Sequence, residues 1–208
     1  MALLDTFELQ QASRRIFEAG RIEYIVAHAM VRSVLANELG VDPRDFRFVR
    51  GRYGKPTALL GGTKAAISFN LSHTKGMVVV GIAPKNIDLG VDVENKLRKI
   101  DLSIANHYFA PSELAWIMAQ SASDQASAFM ALWTLKEAFI KATGKGLSQK
   151  LNQFWFTDPF ITPIRINFGA TMRESSCLWG FEQRILLNKY YISIGWHGLG
   201  HVNWIEIA

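Results

Sequence analysis

Cysteine is almost absent: the chain carries one, Cys177, in 208 residues. A lone thiol excludes an internal disulfide framework and every multi-cysteine zinc or iron–sulfur site, and such usage fits a reducing, cytoplasmic setting. Long apolar runs are missing too. The longest candidate, Met77 to Ala83, stops at Pro84, well short of the ~18 residues a membrane span needs. The opening stretch Met1 to Glu8 has no basic start and carries acids early, unlike a secretory signal. There is no linker rich in Gly, Ser or Pro, so any two lobes should pack tightly with a cleft between them. What is present is ample for folding. Apolar residues make up 49% against 20% charged, with thirteen Phe and six Trp, which excludes a disordered chain. The length allows one domain or two small lobes. Lys and Arg (23) exceed Asp and Glu (18), giving +5 and a pI near 9.4. That balance favours an anionic partner, and nucleic acid, phosphorylated metabolites, acidic proteins and membrane surfaces all stay open on charge alone.

Apolar spacing of three and four from Arg21 to Leu39, closed by Gly40, predicts a helix. Asp42-Pro43 reads as a turn, Phe46 to Val49 as a short strand, and Arg50 to Pro56 as a loop. Three strands are expected next, Ala66–Leu71, Met77–Ala83 and Asp88–Glu94, joined as a meander. The second half restarts with a helix opened by Pro111 and running to Met118, then another from about Asp124 to Thr143, closed by Gly144. Strands are expected at Phe154–Phe156, Ile164–Phe168, Leu178–Leu187, Tyr190–Trp196 and Val202–Ile207. Each half is therefore helix first and antiparallel strands after. This predicts an α+β fold of two pseudo-symmetric lobes, residues 1–98 and 99–208, each a helix packed on a small, mainly antiparallel sheet.

Three segments could carry chemistry. In Gly90-Val-Asp-Val-Glu94, strand alternation puts Asp92 and Glu94 on one side and the valines on the other. Two carboxylates side by side repel, and a hard dication between them, with oxygen ligands suited to Mg²⁺, removes the conflict. A solvated edge strand is the plainer reading. In Phe129 to Lys141, a spacing of four aligns Phe129, Trp133, Glu137 and Lys141, so an acid and a base end an aromatic stripe; alone, Glu137 and Lys141 read equally as a surface pair. Lys141 and Lys145 together could face phosphates. Phe69-Asn-Leu-Ser-His73 ends a strand. No Gly-x-Ser-x-Gly elbow surrounds its Ser-His pair, so a hydrolase triad is disfavoured, and the donors suit a phosphate oxygen or merely satisfy a turn. His197 and His201 lie among glycines and read as a turn. Cys177 reads as a small buried residue.

Four ordered signatures, Gly54-Lys-Pro56, Phe69 to His73, Gly90 to Glu94, and Trp133-Thr-Leu-Lys-Glu-Ala-Phe-Ile-Lys141 with its trailing Gly144-Lys-Gly-Leu147, resemble the 4′-phosphopantetheinyl transferase superfamily, in its two-lobed surfactin-synthetase-activating type. The resemblance implies transfer of the phosphopantetheine arm from coenzyme A to a serine of an acyl or peptidyl carrier protein, releasing adenosine 3′,5′-bisphosphate. It implies Mg²⁺ on Asp92, Glu94 and Glu137, coenzyme A contacts from Lys55, Ser72 and His73 with Arg50 and Asn70 nearby, and catalytic roles for Glu137 and Lys141. The expected partners are coenzyme A and an acidic carrier protein, with no nucleic acid and no membrane, and the chain is expected to be a monomer. Glu8, Gln11 and Glu23 fall where the resemblance leads one to expect basic residues. A metal-dependent hydrolase of the coenzyme A diphosphate and a non-catalytic carrier-binding relative are the alternatives. Retention of Asp92, Glu94, Glu137 and Lys141 favours an active transferase.

Overall fold

The computed structural model describes Leu3 to Ile207, with the side chain of Leu147 excepted. Along the chain the elements are α1 (Thr6–Ser13), α2 (Glu18–Leu39), β1 (Phe46–Arg50), β2 (Pro56–Leu60), β3 (Thr63–Lys64), β4 (Ile67–Thr74), β5 (Met77–Pro84) and β6 (Asp88–Asn95). They continue as α3 (Ala105–Tyr108), α4 (Pro111–Met118), α5 (Gln125–Thr143), β7 (Phe154–Thr157), β8 (Arg165–Phe168), β9 (Trp179–Leu186) and β10 (Tyr190–His197). The fold is α+β, and every strand pairing is antiparallel. Both long helices stop as expected, at Gly40 (φ 65°) and Gly144 (φ 66°), where a left-handed residue closes the last turn without a Cβ clash.

Two helix-on-sheet packings form the interior. Val31, Leu35 and Ala36 of α2 pack with Phe46, Ala58, Ile67 and Phe69 from β1, β2 and β4. In the other, Leu132, Leu135 and Phe139 of α5 pack with Ile117, Phe154, Ile166 and Phe181. The Phe139 and Phe154 ring centroids are 4.5 Å apart, and truncating such a buried ring typically costs ~3–5 kcal/mol. Among the described residues no helix is long and apolar enough to cross a membrane.

The strands depart from expectation in three places. The meander is not formed: β4 pairs with β5 alone, and β6 instead joins β10, in a sheet ordered β6-β10-β9. The cause lies in two polar side chains of β4. The Val91 amide donates to Asn70 Oδ1 at 2.9 Å and the Val93 amide to Ser72 Oγ at 3.3 Å, so side chains satisfy this edge of β6 and no backbone ladder forms there. The segment read as a loop gives way at Pro56 to β2, which pairs with β1 and β3. Val202–Ile207 forms no strand; it is tethered by Trp204, whose Nε1 donates to Glu182 at 2.8 Å while Ile205 stays exposed. Helix α1, absent from the sequence reading, starts with a capping box in which the Glu8 amide donates to Asp5 and the Asp5 amide to Glu8, both at 2.9 Å.

Candidate active site

The β6–α5 contact creates the site. Gly90 faces the helix, and a Cβ there would run into the Ala138 carbonyl oxygen and the Ala142 amide nitrogen. A glycine at this point therefore lets the α5 backbone lie directly on β6. On the sheet side, Ser193 of β10 stands opposite Asp92 in register, and its buried Oγ donates to Thr134 Oγ1 of α5 at 2.8 Å. Gln183 of β9 adds bonds to Ala131, Thr134 and Ser193 at 2.8, 3.1 and 2.9 Å. These ties fix the rotation of α5 over the strand.

With the helix so fixed, Lys141 reaches Asp92: its Nζ donates to Asp92 Oδ1 at 2.6 Å and to Ser72 Oγ at 2.9 Å. Ser72 Oγ itself donates to Asp92 Oδ1 at 2.9 Å, so three elements, β4, β6 and α5, meet at one carboxylate. Asp92 Oδ2 is buried and has no hydrogen-bond partner. Two residues on, Glu94 is half-buried and takes Arg98 at 2.8 Å. Burial first, then the charge of Asp92, raises the Glu94 carboxyl above its ordinary range. Glu137, one turn before Lys141, is pushed up to about 7, by burial and then by Asp92 and Glu94, with Lys141 acting the other way. Three acids thus share one crowded field, in which Glu94 and Glu137 resist ionisation, first because they are buried and then because Asp92 stands close by.

The donor set suits a hard dication. Carboxylate oxygens are the ligands such ions select, and the orphaned Asp92 Oδ2 supplies a buried lone pair with no competing donor. The residues that fit are Asp92, Glu94 and Glu137. Among the described residues, however, no three acidic, histidine or cysteine side chains form a ready-made cage. Lys141 pairs with Asp92, and Arg98 with Glu94.

The residues expected to meet coenzyme A are more dispersed. Ser72 belongs to the cluster, and Asn70 is buried and committed to β6. His73 is exposed beside Ser72, its Nδ1 3.9 Å from Glu23, and partial loss of hydration lowers its basicity. Lys55 donates to the Ala142 carbonyl at the end of α5 at 2.6 Å, with Asp88 3.8 Å away, and loss of hydration lowers its basicity. Arg50 is exposed and reaches the Gly54 carbonyl at 3.4 Å. Lys145 lies 3.7 Å from Glu174 and Glu8 is buried against Arg32 at 2.8 Å. Cys177 is exposed, contrary to expectation, because the turn Ser176–Leu178 that carries it stands clear of the core.

One pair escaped the sequence reading. Lys136, adjacent to Glu137, is fully buried and donates to Glu113 Oε2 at 2.7 Å and to the Leu151 and Phe154 carbonyls at 2.8 and 2.7 Å. Glu113 in turn accepts the amides of Ala110 and Phe156 at 2.9 and 3.0 Å. Desolvation drives the pair in opposite directions, the lysine down to about 8 and the acid up. This saturated cluster ties α4 and β7 to the site helix. A lysine on the apolar side of an otherwise buried helix is the only trace it leaves in the sequence.

Comparison with known proteins gives a family. The family model of the 4′-phosphopantetheinyl transferase superfamily matches residues 88–194, a span that holds Asp92, Glu94, Glu137 and Lys141. The chain is 34% identical to the 4′-phosphopantetheinyl transferase gsp of Aneurinibacillus migulanus over 63% of its own length and 52% of that protein. It is 35% identical to the 4′-phosphopantetheinyl transferase Sfp of Bacillus subtilis over 62% and 55%. With the 4′-phosphopantetheinyl transferase HetI of Nostoc it shares 31% identity over 71% and 62%. The matched stretch spans just over half to three-fifths of these relatives. The family model covers half of this chain, with Asp92, Glu94, Glu137 and Lys141 inside the match: the chain belongs to the 4′-phosphopantetheinyl transferase superfamily.

Proposed function

We propose that this chain transfers the 4′-phosphopantetheine arm of coenzyme A to a serine hydroxyl of an apo carrier protein, leaving adenosine 3′,5′-bisphosphate. The observation that carries the reading is the Lys141–Asp92 contact, which joins the carboxylates of β6 to the acid and base of α5. The site lies between the lobes formed by residues 1–98 and 99–208. Mg²⁺ held by Asp92, Glu94 and Glu137 would supply charge neutralisation at the diphosphate as negative charge builds on its oxygens.

The protein's own groups divide the remaining work. Glu137 accepts the serine proton as general base. Lys141 offers an ammonium to the departing phosphate. His73, exposed next to Ser72, and Lys55 and Arg50 supply positive charge or donors to the rest of coenzyme A. The +5 balance draws in an acidic carrier protein. The working form is a cytoplasmic monomer.

The test is incubation with coenzyme A, Mg²⁺ and several apo carrier proteins, followed by intact-mass measurement of each carrier. Addition of the arm to at least one carrier is expected, dependent on the dication. Cleavage of coenzyme A without any carrier adduct would overturn the transferase reading in favour of a hydrolase.

A further inference from the structure

Lys141 stands where a cation would. Its ammonium lies 2.6 Å from Asp92 Oδ1 and 2.9 Å from Ser72 Oγ, on a side chain only 29% exposed. Arg98, the counter-ion of Glu94, is 61% exposed and can swing into water at small cost. Lys141 has no such freedom. Leaving Asp92 would break a short charge-assisted hydrogen bond in partly desolvated surroundings. A dication arriving on Asp92 would then repel the displaced ammonium at close range. The conflict ends when an anion comes in to receive it.

We propose that Lys141 makes the cation site dependent on diphosphate, so that the site selects a dication accompanied by a diphosphate ester over a free dication. In the structure Lys141 neutralises Asp92, and Ser72 braces the contact by donating to the same carboxylate oxygen while accepting from Lys141 and from the Val93 amide. This arrangement leaves the buried Asp92 Oδ2 without a hydrogen-bond partner while Asp92 Oδ1 is taken by Lys141 and Ser72. The diphosphate of coenzyme A draws the ammonium away and so frees the second oxygen. Because coupling between two ligands is reciprocal, the dication must tighten the diphosphate ligand by the same factor. The inference rests on the assignment of the dication to Asp92, Glu94 and Glu137, and it deepens that assignment by giving the order in which the site becomes competent.

Electron paramagnetic resonance titration of Mn²⁺ into the full chain, with and without coenzyme A, tests both. For the unsubstituted protein, coenzyme A should tighten Mn²⁺ by about tenfold or more. Lys141→Met should bind Mn²⁺ alone about tenfold tighter than the unsubstituted protein, and its gain from coenzyme A should shrink below about threefold. Lys141→Gln serves if the methionine variant fails to fold by circular dichroism. Arg98→Gln removes a charge of the same sign from the same cluster and should change Mn²⁺ binding less than about threefold. If the Lys141 variants bind Mn²⁺ no tighter than the parent, or only as much tighter as Arg98→Gln, the gating role is overturned while the cation site stands. If Mn²⁺ binds to none of these forms even with coenzyme A, the cation assignment falls and the gating role with it.

Discussion

Two clusters of charge brace the two long helices, and they differ in balance. Under α2, Arg32 takes Glu8 at 2.8 Å and Asp5 at 3.0 Å, and Arg47 stands 3.7 Å from Asp5, so two acids meet two guanidinium groups. Beside α5, the acids Asp92, Glu94 and Glu137 meet Lys141 and Arg98, three against two. Each cluster leaves one buried oxygen without a partner, Glu8 Oε1 in the first and Asp92 Oδ2 in the second. An orphaned oxygen therefore does not mark function by itself. What sets the second apart is its excess of carboxylates: burial, and then repulsion among these acids, raises Glu94 and Glu137, which on the proposed reading calls for a cation from outside. The balanced cluster fastens a helix; the unbalanced one, on the proposed reading, is poised for a ligand.

The comparison breaks first at activity. Glu137→Gln should keep the fold, read by circular dichroism, and lower transfer about 10²–10⁴-fold as expected for loss of a general base; a loss under tenfold would remove that role. Stability comes next. Arg32→Met and Lys136→Met each strand a buried carboxylate and should cost ~3–5 kcal/mol in urea unfolding. Pairing Lys136→Met with Glu113→Leu should recover most of that loss, and no recovery would mean the lysine acts through its backbone carbonyl partners instead.

A pH effect sharpens the contrast further. Glu137 ionises near 4.5 when unfolded and near about 7 when folded, so between these values the native state holds the extra proton. Raising the pH through that window should therefore lower the stability of the metal-free protein, by ~3 kcal/mol at most, with no further change from this group above it. Glu137→Gln should flatten this slope, and an unchanged slope would place its origin elsewhere. The smallest effect concerns encounter: raising the salt should raise the carrier KM a few-fold through screening, whereas an insensitive KM would remove the electrostatic account of docking.

Local features were legible in the sequence and distant pairings were not. The span and stop of α2 and α5 follow from apolar spacing and two left-handed glycines, and the shared side of Asp92 and Glu94 follows from strand alternation. The pairing of β6 with β10 was hidden because the two strands lie about a hundred residues apart, and because the Asn70 and Ser72 side chains take the place of a ladder to β4. The partner of Lys136, Glu113, sits on α4, a separate helix whose packing against α5 no local spacing foretells. Lys55 and Asn70 carried polar groups that only the fold reveals to be committed to backbone atoms. Val202–Ile207 had the composition of a strand, but it forms none and is tethered by its tryptophan instead.

The spatial claim beneath all of this is that one ion can join β6 to α5. Crystals grown with Mn²⁺ and coenzyme A, read by anomalous scattering, test it directly. A single peak bonded to oxygens of Asp92, Glu94 and Glu137, at roughly the ~2.0–2.2 Å of a hard dication, is the predicted result. A peak bound to phosphate but to none of these carboxylates would contradict the account.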